Sequence, residues 1–392
     1  MAMELSYLII TPYTIMKSRT GGVIARLLSR SDLELAGARI ICPSQELTEE
    51  YAAAIKRTVG KRDEKAAKLL SDYVKDNFAP AADGKKERIM MLFFKGEDAC
   101  KKLYSIAGSL PRPVSKAAIT GETIRDTYAD MVLTPNGEVK YFEPAVLTPC
   151  DQTSATENLR IFAKFMEKEP NIVKNLIKEK TALEQTLVII KPDNWRHPST
   201  KPGNIIDMLS RTGLRIVGCK IYQMSVANAL EFYGPVKNVL RKKLAPVIGK
   251  KAKELLEAEF EIKLHEEDES KLTETVGLDY ADDQFHRIIE FMSGKRPESC
   301  KESELGAPGL VKCMILIYEG KDAISKIRNV LGPTDPTKAP GGTVRRDFGQ
   351  DVMVNTAHAS DAPESVERET KIVAIEDNPI CRIINDFLSK GA

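Results

Sequence analysis

One histidine of the chain lies where a phosphate group could bind. His358 falls in the segment DVMVNTAHASDAPESVERE, where a strand-like run ends and a helix is predicted to begin. Asp361 and Glu364 form a capping pattern for that helix, with Pro363 in its first turn. The amide groups and dipole of a helix N-terminus favour an anion nearby. An imidazole near pH 7 is largely neutral and nucleophilic, so His358 could accept a phosphoryl group and pass it on.

The stretch before His358 is rich in groups that bind phosphate oxygens. In SKIRNVLGPTDPTKAPGGTVRRDFG, a predicted helix end and a Gly/Pro loop carry Arg328, Thr334, Lys338, Arg345 and Arg346. Arginine forks, a hydroxyl and glycine amides suit a phosphate site, although a solvated basic loop has the same composition. Lys191 ends the apolar strand LVIIKPD, and the proline after it favours a cation turned toward a site.

The other histidines and the cysteines fit no catalytic or metal-binding pattern. His265 and His286 lie among carboxylates and His197 lies in an exposed type of loop, so surface positions are expected, with a phosphate-side role of His197 as the alternative. The seven cysteines are scattered and form no CxxC pair. This distribution does not support zinc ligation and indicates free thiols in a reducing cytoplasm.

Two stretches of the sequence resemble each other and predict two related domains. LSYLIITPYTIMKSRTGGVIARLLSRSDLELAGARIIC in the first half corresponds to EQTLVIIKPDNWRHPSTKPGNIIDMLSRTGLRIVGCKIY in the second. Each reads as strand, glycine turn, amphipathic helix and strand, and each half later continues into a strand, an acidic turn and a helix. This order predicts an α+β fold with two ferredoxin-like, split βαβ sandwich domains. No P-loop or dinucleotide-binding glycine fingerprint occurs.

The repeat sets the predicted domain boundaries. We predict a first domain over residues 1–165, a charged, helix-prone linker over 166–185 and a second domain over 186–392. The second domain carries a long charged insertion at about 240–306, whose leucine and isoleucine spacing predicts helices. A surface elaboration, a lid over a site and an oligomer contact are all open roles for this helical insertion.

Charge and hydropathy narrow the class of protein. Lys plus Arg is 58 and Asp plus Glu is 56, so the 392-residue chain carries a net charge of only +2. This balance argues against a dedicated nucleic-acid binder, although KNVLRKK and GKKAK are locally basic. No apolar run reaches the roughly 18 residues of a membrane helix, and the N-terminus lacks signal-peptide features. We expect a cytoplasmic protein without membrane or specific nucleic-acid partners.

Together these motifs resemble the nucleoside diphosphate kinase family. The matching segments are TLVIIKPD, the IRNVLGPTDP run, GGTVRRDF and NTAHASDAPESVERE, in the family's order across residues 186–232 and 310–373. The resemblance implies a ping-pong phosphotransferase, in which His358 takes the γ-phosphoryl group of ATP or another nucleoside triphosphate and delivers it to a nucleoside diphosphate. It also implies Mg²⁺ bridged by nucleotide phosphates instead of a protein metal site, and a homo-oligomer.

The resemblance assigns nucleotide contacts to residues of this sequence. Lys191 would hold phosphate and ribose oxygens, and Asn355 would bind the ribose. Arg328, Thr334 and Arg345 would clamp the phosphates. Arg345 would also stabilise the phosphoryl group during its transfer, as expected for a reaction that depends on positioning and charge.

The resemblance also names residues around the imidazole. Ser360 and Glu369 would orient His358, and Tyr233 falls where the family has a tyrosine near its catalytic histidine. The family stacks the base on an aromatic residue from a helical hairpin. The insertion replaces that hairpin, and its counterpart falls near residue 240, where the sequence does not place a stacking residue.

The first half has different residues at most of the site positions. In place of the lysine, the first arginine and the histidine it has, respectively, Thr11, Tyr104 and Leu147. Arg125 keeps the place of the second arginine. No histidine precedes His197, so we predict a degenerate kinase domain retained for assembly or structure. Weak nucleotide binding without turnover is the alternative for this half.

A second hypothesis is that the chain has this fold but does not catalyse phosphoryl transfer. The insertion would have abolished catalysis and left a nucleotide-binding or scaffold protein. The complete set of phosphate-binding residues beside His358 favours the kinase, since a scaffold has no chemical need for such a set.

Overall fold

The chain divides into two compact units. The computed structural model describes residues 3–110, 121–174, 176 and 183–390. One unit comprises the described parts of Met1–Ile221, Met314–Glu367 and Ala374–Ala392, and the other comprises Tyr222–Cys313 with Arg368–Val373. The larger unit therefore contains the sheets of both repeats, and the smaller one contains the predicted insertion. Part of the predicted linker 166–185 lies outside the described residues.

The first half forms a four-stranded antiparallel sheet with helices between its strands. Its elements are, in chain order, β1 (Met3–Ile10), α1 (Pro12–Met16), α2 (Thr20–Arg30), β2 (Glu34–Ile41), α3 (Gln45–Val59), α4 (Glu64–Phe78), β3 (Ile89–Glu97), α5 (Ala99–Ala107), α6 (Ile124–Tyr128), β4 (Asp130–Leu133), β5 (Val139–Glu143), β6 (Val146–Leu147) and α7 (Gln152–Met166). The sheet order is β2-β3-β1-β6, and β4 pairs with β5 in a separate hairpin.

The second half repeats this sheet. Its elements are β7 (Glu184–Ile190), α8 (Lys201–Ser210), β8 (Arg215–Tyr222), α9 (Val226–Phe260), α10 (Glu266–Leu272), α11 (Leu278–Ser293), β9 (Cys313–Gly320), α12 (Ala323–Leu331), α13 (Val344–Phe348), β10 (Ala357–Ala359), α14 (Pro363–Ile372) and α15 (Ile380–Lys390). The sheet order is β10-β7-β9-β8.

The two sheets have the same topology. If the four strands of each repeat are counted along the chain, both sheets run in the order fourth, first, third, second. The first strand is antiparallel to the third and to the fourth in each sheet. This is the βαββαβ arrangement of a ferredoxin-like sandwich. The predicted α+β class is confirmed, with two such sheets and a helical segment between β8 and β9.

The similarity of the repeats extends to single backbone positions. Asp98 and Asp322 stand in the acidic turns before α5 and α12, and both adopt left-handed φ values, 52° and 55°. Aspartate tolerates this region better than most residues, because its short side chain can bond locally. The acidic turn noted in each half is therefore a helix start of the same geometry.

The last helix of the chain completes the core of the first half. Ile380 and Ile384 of α15 are fully buried in the same hydrophobic cluster as Leu5, Tyr7 and Phe162. At the edge of the first sheet, a Cβ on Gly37 of β2 would lie 2.6 Å from Cδ1 of Ile380, so this helix packs closely on the strand. The hydrophobic core of the first half therefore includes residues from the end of the chain as well as residues 1–165.

The smaller unit is helical. Ser225 caps α9, a 35-residue helix that passes through Pro235 and Pro246. The Arg241 guanidinium binds the carboxylate of Asp282 on α11 through two nitrogens, which ties these two helices together. Ser225 lies three residues after the end of β8, so the helix begins soon after this strand.

Two features of the whole chain bear on its surroundings. All seven cysteines are free thiols, three of them buried and four half-buried. In the described part of the chain, none of the helices combines the length and the apolar character that a membrane crossing requires.

A contact between two glycines joins the two halves. Helix α2 packs against α8 with Gly21 facing Gly203. A Cβ on Gly203 would lie 2.3 Å from the backbone nitrogen of Ala25 and 2.4 Å from the carbonyl oxygen of Gly21. Real Cβ atoms do not approach backbone this closely, so the two helices can touch only with glycine at this crossing.

We expect Gly203→Ala to lower the free energy of unfolding by about 1–3 kcal/mol, because α2 and α8 must separate. Urea denaturation measures this change. Gly306→Ala is the matched control, since no atom lies within 4 Å of its Cβ position. Equal stability of the two variants would contradict the described helix contact.

Candidate active site

A short strand carries the candidate nucleophile. The three residues of β10 pair antiparallel with β7, which sets His358 opposite Ile189 and Ala357 opposite Ile190. Side chains alternate along a strand, so His358 faces away from its two neighbours. Ala357 and Ala359 are buried, whereas His358 is half-buried. The imidazole therefore stands at a partly open face of the sheet's edge strand.

Hydrogen bonds to backbone carbonyls hold this strand in place. Arg345 on α13 donates from one terminal nitrogen to the carbonyl of Gly332, at 2.8 Å, and from the other to the carbonyl of Ala357, at 2.9 Å. Thr356, just before β10, has a left-handed φ of 68°, and its carbonyl accepts from the backbone N–H of Lys191 at 2.9 Å. The Asn194 amide donates to the same carbonyl at 2.8 Å.

Lys191 and Asn355 meet in the interior beside this strand. The ammonium of Lys191 donates to Oδ1 of Asn355 at 2.7 Å, and both side chains are buried. Burial and, to a smaller extent, the positive charge of Arg345 together lower the pKa of Lys191 to about 8. Asn355 is held in turn, since its amide donates to the carbonyl of Val352 at 2.6 Å. The site thus contains a cation that is costly to keep charged.

Arg328 and Thr334 form the exposed side of the site. Arg328 is exposed on the last turn of α12, and Thr334 is exposed in the loop that follows. The pKa of Asp361 is lowered, mainly by a hydrogen bond from Ser365, with the charges of Arg328 and His358 acting in the same direction. Asp361 therefore lies within electrostatic reach of both residues.

Three further predicted residues are buried. Ser360 is fully buried directly after β10, and its backbone N–H donates to the carbonyl of Leu187 at 3.1 Å. Tyr233 and Glu369 belong to the smaller compact unit. There Tyr233 packs 5.0 Å from the Phe232 ring, and Glu369 accepts from Arg368 at 3.2 Å. Their predicted action on His358, like that of Ser360, stays a prediction.

The structure adds residues that the sequence motifs did not single out. Asn194 binds the carbonyls of both Lys191 and Thr356, and so fixes the backbone on either side of the site. Asp361 was expected only as a helix cap. The KPDN run after β7 forms a short 3-10 turn. The asparagine of this run was the one feature of the sequence that could have indicated the backbone role of Asn194.

The arrangement suits phosphate chemistry. Strand register places His358 opposite Ile189, two residues before the buried cation Lys191, and Arg345 contacts the neighbouring Ala357. Ammonium and guanidinium groups in a partly buried site bind phosphate oxygens strongly, and a neutral imidazole can attack phosphorus. Among the described residues, no three or more Asp, Glu, His or Cys side chains come together as a set of metal ligands.

Comparison with known proteins identifies the family. The nucleoside diphosphate kinase family model matches residues 184–243 and 306–378, and leaves out the stretch predicted as an insertion. The nucleoside diphosphate kinase of Staphylothermus marinus is 31% identical over 197 residues, which cover 50% of this chain and 96% of the relative. The nucleoside diphosphate kinase of Bdellovibrio bacteriovorus is 28% identical over 202 residues, which cover 52% of this chain and 99% of the relative. The chain belongs to the nucleoside diphosphate kinase family.

A solved structure to which this chain is similar also belongs to a nucleoside diphosphate kinase. A crystal structure of the Aquifex aeolicus nucleoside diphosphate kinase is 25% identical and covers 49% of this chain and 95% of that chain, with a TM-score of 0.30. The family assignment rests on the sequence relatives, each of which matches about half of this chain.

The first half has the same backbone hydrogen bonds at this position, with different side chains around them. Leu147 pairs with Ile9 of β1 at the register position that His358 has in the second sheet. Arg125 donates to the carbonyls of Gly108 and Val146, as Arg345 does to those of the equivalent residues. The backbone N–H of Thr11 donates to the carbonyl of Ala145, which also has a positive φ, 61°.

Lys191→Met should raise the free energy of unfolding at pH 7, by at most about 3 kcal/mol from a pKa lowered from 10.5 to about 8. The folded state disfavours the charged lysine, so its cost is fully present below pH 8. The cost fades as pH rises from 8 to 10.5, where the folded lysine is neutral and the unfolded one is still charged. Urea denaturation at several pH values measures the gain, which should shrink over this range.

Lys220→Met is the matched control for a buried lysine. Its ammonium donates to the carbonyls of Ala374 and Asp377, at 2.8 and 3.0 Å, which the variant leaves without this donor. We expect a loss of about 1–3 kcal/mol there. A loss of similar size for Lys191→Met would contradict the account of Lys191 as a destabilising cation.

Proposed function

We propose that the chain is an active nucleoside diphosphate kinase whose chemistry lies in the second half. An imidazole nitrogen of His358 attacks the γ-phosphorus of a nucleoside triphosphate. A P–N bond forms, the P–O bond to the β-phosphate breaks, and the nucleoside diphosphate leaves. A second diphosphate then attacks the phosphohistidine with a terminal phosphate oxygen, which restores the imidazole. The observation that carries this proposal is the half-buried His358 beside the cations of Lys191 and Arg345.

The surrounding residues bind and neutralise the phosphates in this proposal. Lys191 holds phosphate and ribose oxygens, and Asn355, which already contacts it, binds the ribose. Arg345 uses the N–H groups that its two carbonyl contacts leave over, and stabilises the phosphoryl group in transfer. Arg328 and Thr334, both exposed, close around the β- and γ-phosphates of the entering nucleotide. These groups compensate charge that develops on phosphate oxygens, which is the main catalytic requirement of the reaction.

Mg²⁺ and the remaining residues complete the proposal. The donor set beside His358 is cationic and amide-rich, which suits phosphate oxygens and not a metal ion, so Mg²⁺ would enter bound to the nucleotide phosphates. There it would neutralise phosphate charge. Ser360 and Glu369 are proposed to orient His358, and Tyr233 to lie near it.

The first half is proposed to be a non-catalytic copy of the same domain. Leu147 stands at the register position of His358, and no histidine occurs among residues 1–196. We further propose that the protein assembles as a homo-oligomer and works in the cytoplasm, where its free thiols stay reduced.

Initial-rate kinetics with varied triphosphate and diphosphate test the proposal. We expect parallel double-reciprocal lines, because each phosphoryl transfer passes through a phosphoenzyme. His358→Asn should reduce kcat by at least about 1,000-fold, since no imidazole remains to accept the group. Leu147→Asn is the matched control in the first half and should keep kcat. A folded wild-type chain that binds nucleotide without turnover would instead support the scaffold hypothesis.

The dependence of kcat/KM on pH should report Lys191. We expect kcat/KM to fall as pH rises through about 8, because the ammonium that binds phosphate loses its proton there. Lys191→Arg keeps a charged group at higher pH, so this decline should move beyond the alkaline end of the profile. The same decline in both enzymes would assign it to another group.

A further inference from the structure

The first half contains a large open cavity beside the position of Leu147. Its volume is 1120 Å³, slightly above the roughly 300–1,000 Å³ that is typical of small-molecule sites. Helices α3 and α4 line one side, through residues such as Ile55 and Leu69, and the β4–β5 hairpin lines another through Leu133. Apolar side chains therefore form much of the wall, and every lining residue belongs to the larger compact unit.

A buried cation lies in this cavity wall. Arg125 is 4% exposed, and its guanidinium lies 5.8 Å from the centre of the Tyr104 ring. Within the described residues, no carboxylate lies within ion-pair distance of Arg125. Burial lowers the pKa of Arg125 to about 10, so it stays protonated at neutral pH. A buried charge that lacks a counterion is costly unless a ligand supplies one.

Two polar atoms of the wall have no hydrogen-bond partner among the described residues. They are Nε of Arg125 and Oδ1 of Asn158, a side chain that is 3% exposed. The terminal nitrogens of Arg125 reach the carbonyls of Gly108 and Val146, but these contacts leave the Nε–H unused. These two atoms therefore leave hydrogen-bonding capacity in the wall that a ligand could use.

The rest of the wall limits the charge that such a partner can carry. The equivalent region of the second half combines two arginines, a lysine and a histidine. Here Tyr104, Thr11 and Leu147 stand in place of three of those four groups, and Arg125 is the cation that is left. Three exposed basic residues line the cavity nearer the surface: Arg62 pairs with Asp151, Lys68 pairs with Asp72, and Lys65 stands beside them.

We propose that this cavity binds a small organic anion with one phosphate or carboxylate group and an aromatic or apolar body. The anionic group bonds to Arg125, and the body packs against Tyr104 and the apolar residues of α3 and α4. A nucleoside triphosphate fits this site poorly, because Arg125 is the one buried cation among the described residues of the wall and would face three or four negative charges. The first half thus keeps its cavity for a ligand of another class, independently of catalysis in the second half.

Titration calorimetry on the full-length chain tests the proposal with four probes. Phenyl phosphate and benzoate carry both a ring and an anion, whereas inorganic phosphate lacks the ring and benzyl alcohol lacks the charge. We expect phenyl phosphate, benzoate or both to bind more tightly than the last two. Binding of only one of the two anions identifies phosphate or carboxylate as the group that the site accepts.

Matched arginine variants locate the binding. Arg125→Gln should weaken it about 10- to 100-fold, the effect of losing one charge-assisted hydrogen bond, whereas Arg345→Gln should leave it unchanged. Should Arg125→Gln fail to fold, Leu110→Trp fills the cavity without altering the guanidinium and should also abolish binding. The proposal is overturned if neither anion binds, or if Arg345→Gln abolishes the binding and Arg125→Gln does not. It is also overturned if, in the Arg345→Gln variant, Mg²⁺–ATP binds to this site more tightly than the single anions do.

Discussion

The position of the candidate nucleophile depends on one guanidinium that holds two carbonyl groups. Arg345 joins the turn at Gly332 to the three-residue strand β10, which is too short to be fixed by its ladder with β7 alone. The left-handed Thr356 and the amide of Asn194 fix the residue that enters this strand. A half-buried arginine thus holds the backbone through its two hydrogen bonds, and its positive charge remains available to the site.

The same pair of arginine–carbonyl hydrogen bonds explains how the two halves keep one backbone arrangement around different side chains. Arg125 repeats both carbonyl contacts in the first sheet, where Leu147 replaces the histidine. Loss of the imidazole removes a nucleophile without disturbing the backbone, whereas loss of the arginine would release the last strand. The proposed loss of catalysis in the first half would therefore leave its arginine-lined cavity intact for the proposed anion.

Local patterns in the sequence predicted the fold class and named candidate residues that the structure places near one another. Strand and helix periodicity, repeated in both halves, gave the order of the sandwich, and the motifs marked His358, Lys191 and Asn355, which the structure brings to neighbouring positions. Long-range packing was beyond such patterns. Nothing near Ile380 indicates that α15 completes the core of the first half, and the contact of Gly21 with Gly203 pairs residues far apart in sequence. The backbone role of Asn194 likewise depends on a carbonyl from a distant loop.

The central claim is that His358 carries the phosphoryl group. The most direct measurement is brief incubation of the full-length protein with γ-labelled ATP, followed by mapping of the label on peptides under alkaline conditions that preserve phosphohistidine. The account predicts an acid-labile label on the peptide that contains His358, discharged by added nucleoside diphosphate and absent from His358→Ala. A folded wild-type chain without label, or a label that persists in His358→Ala, would contradict it.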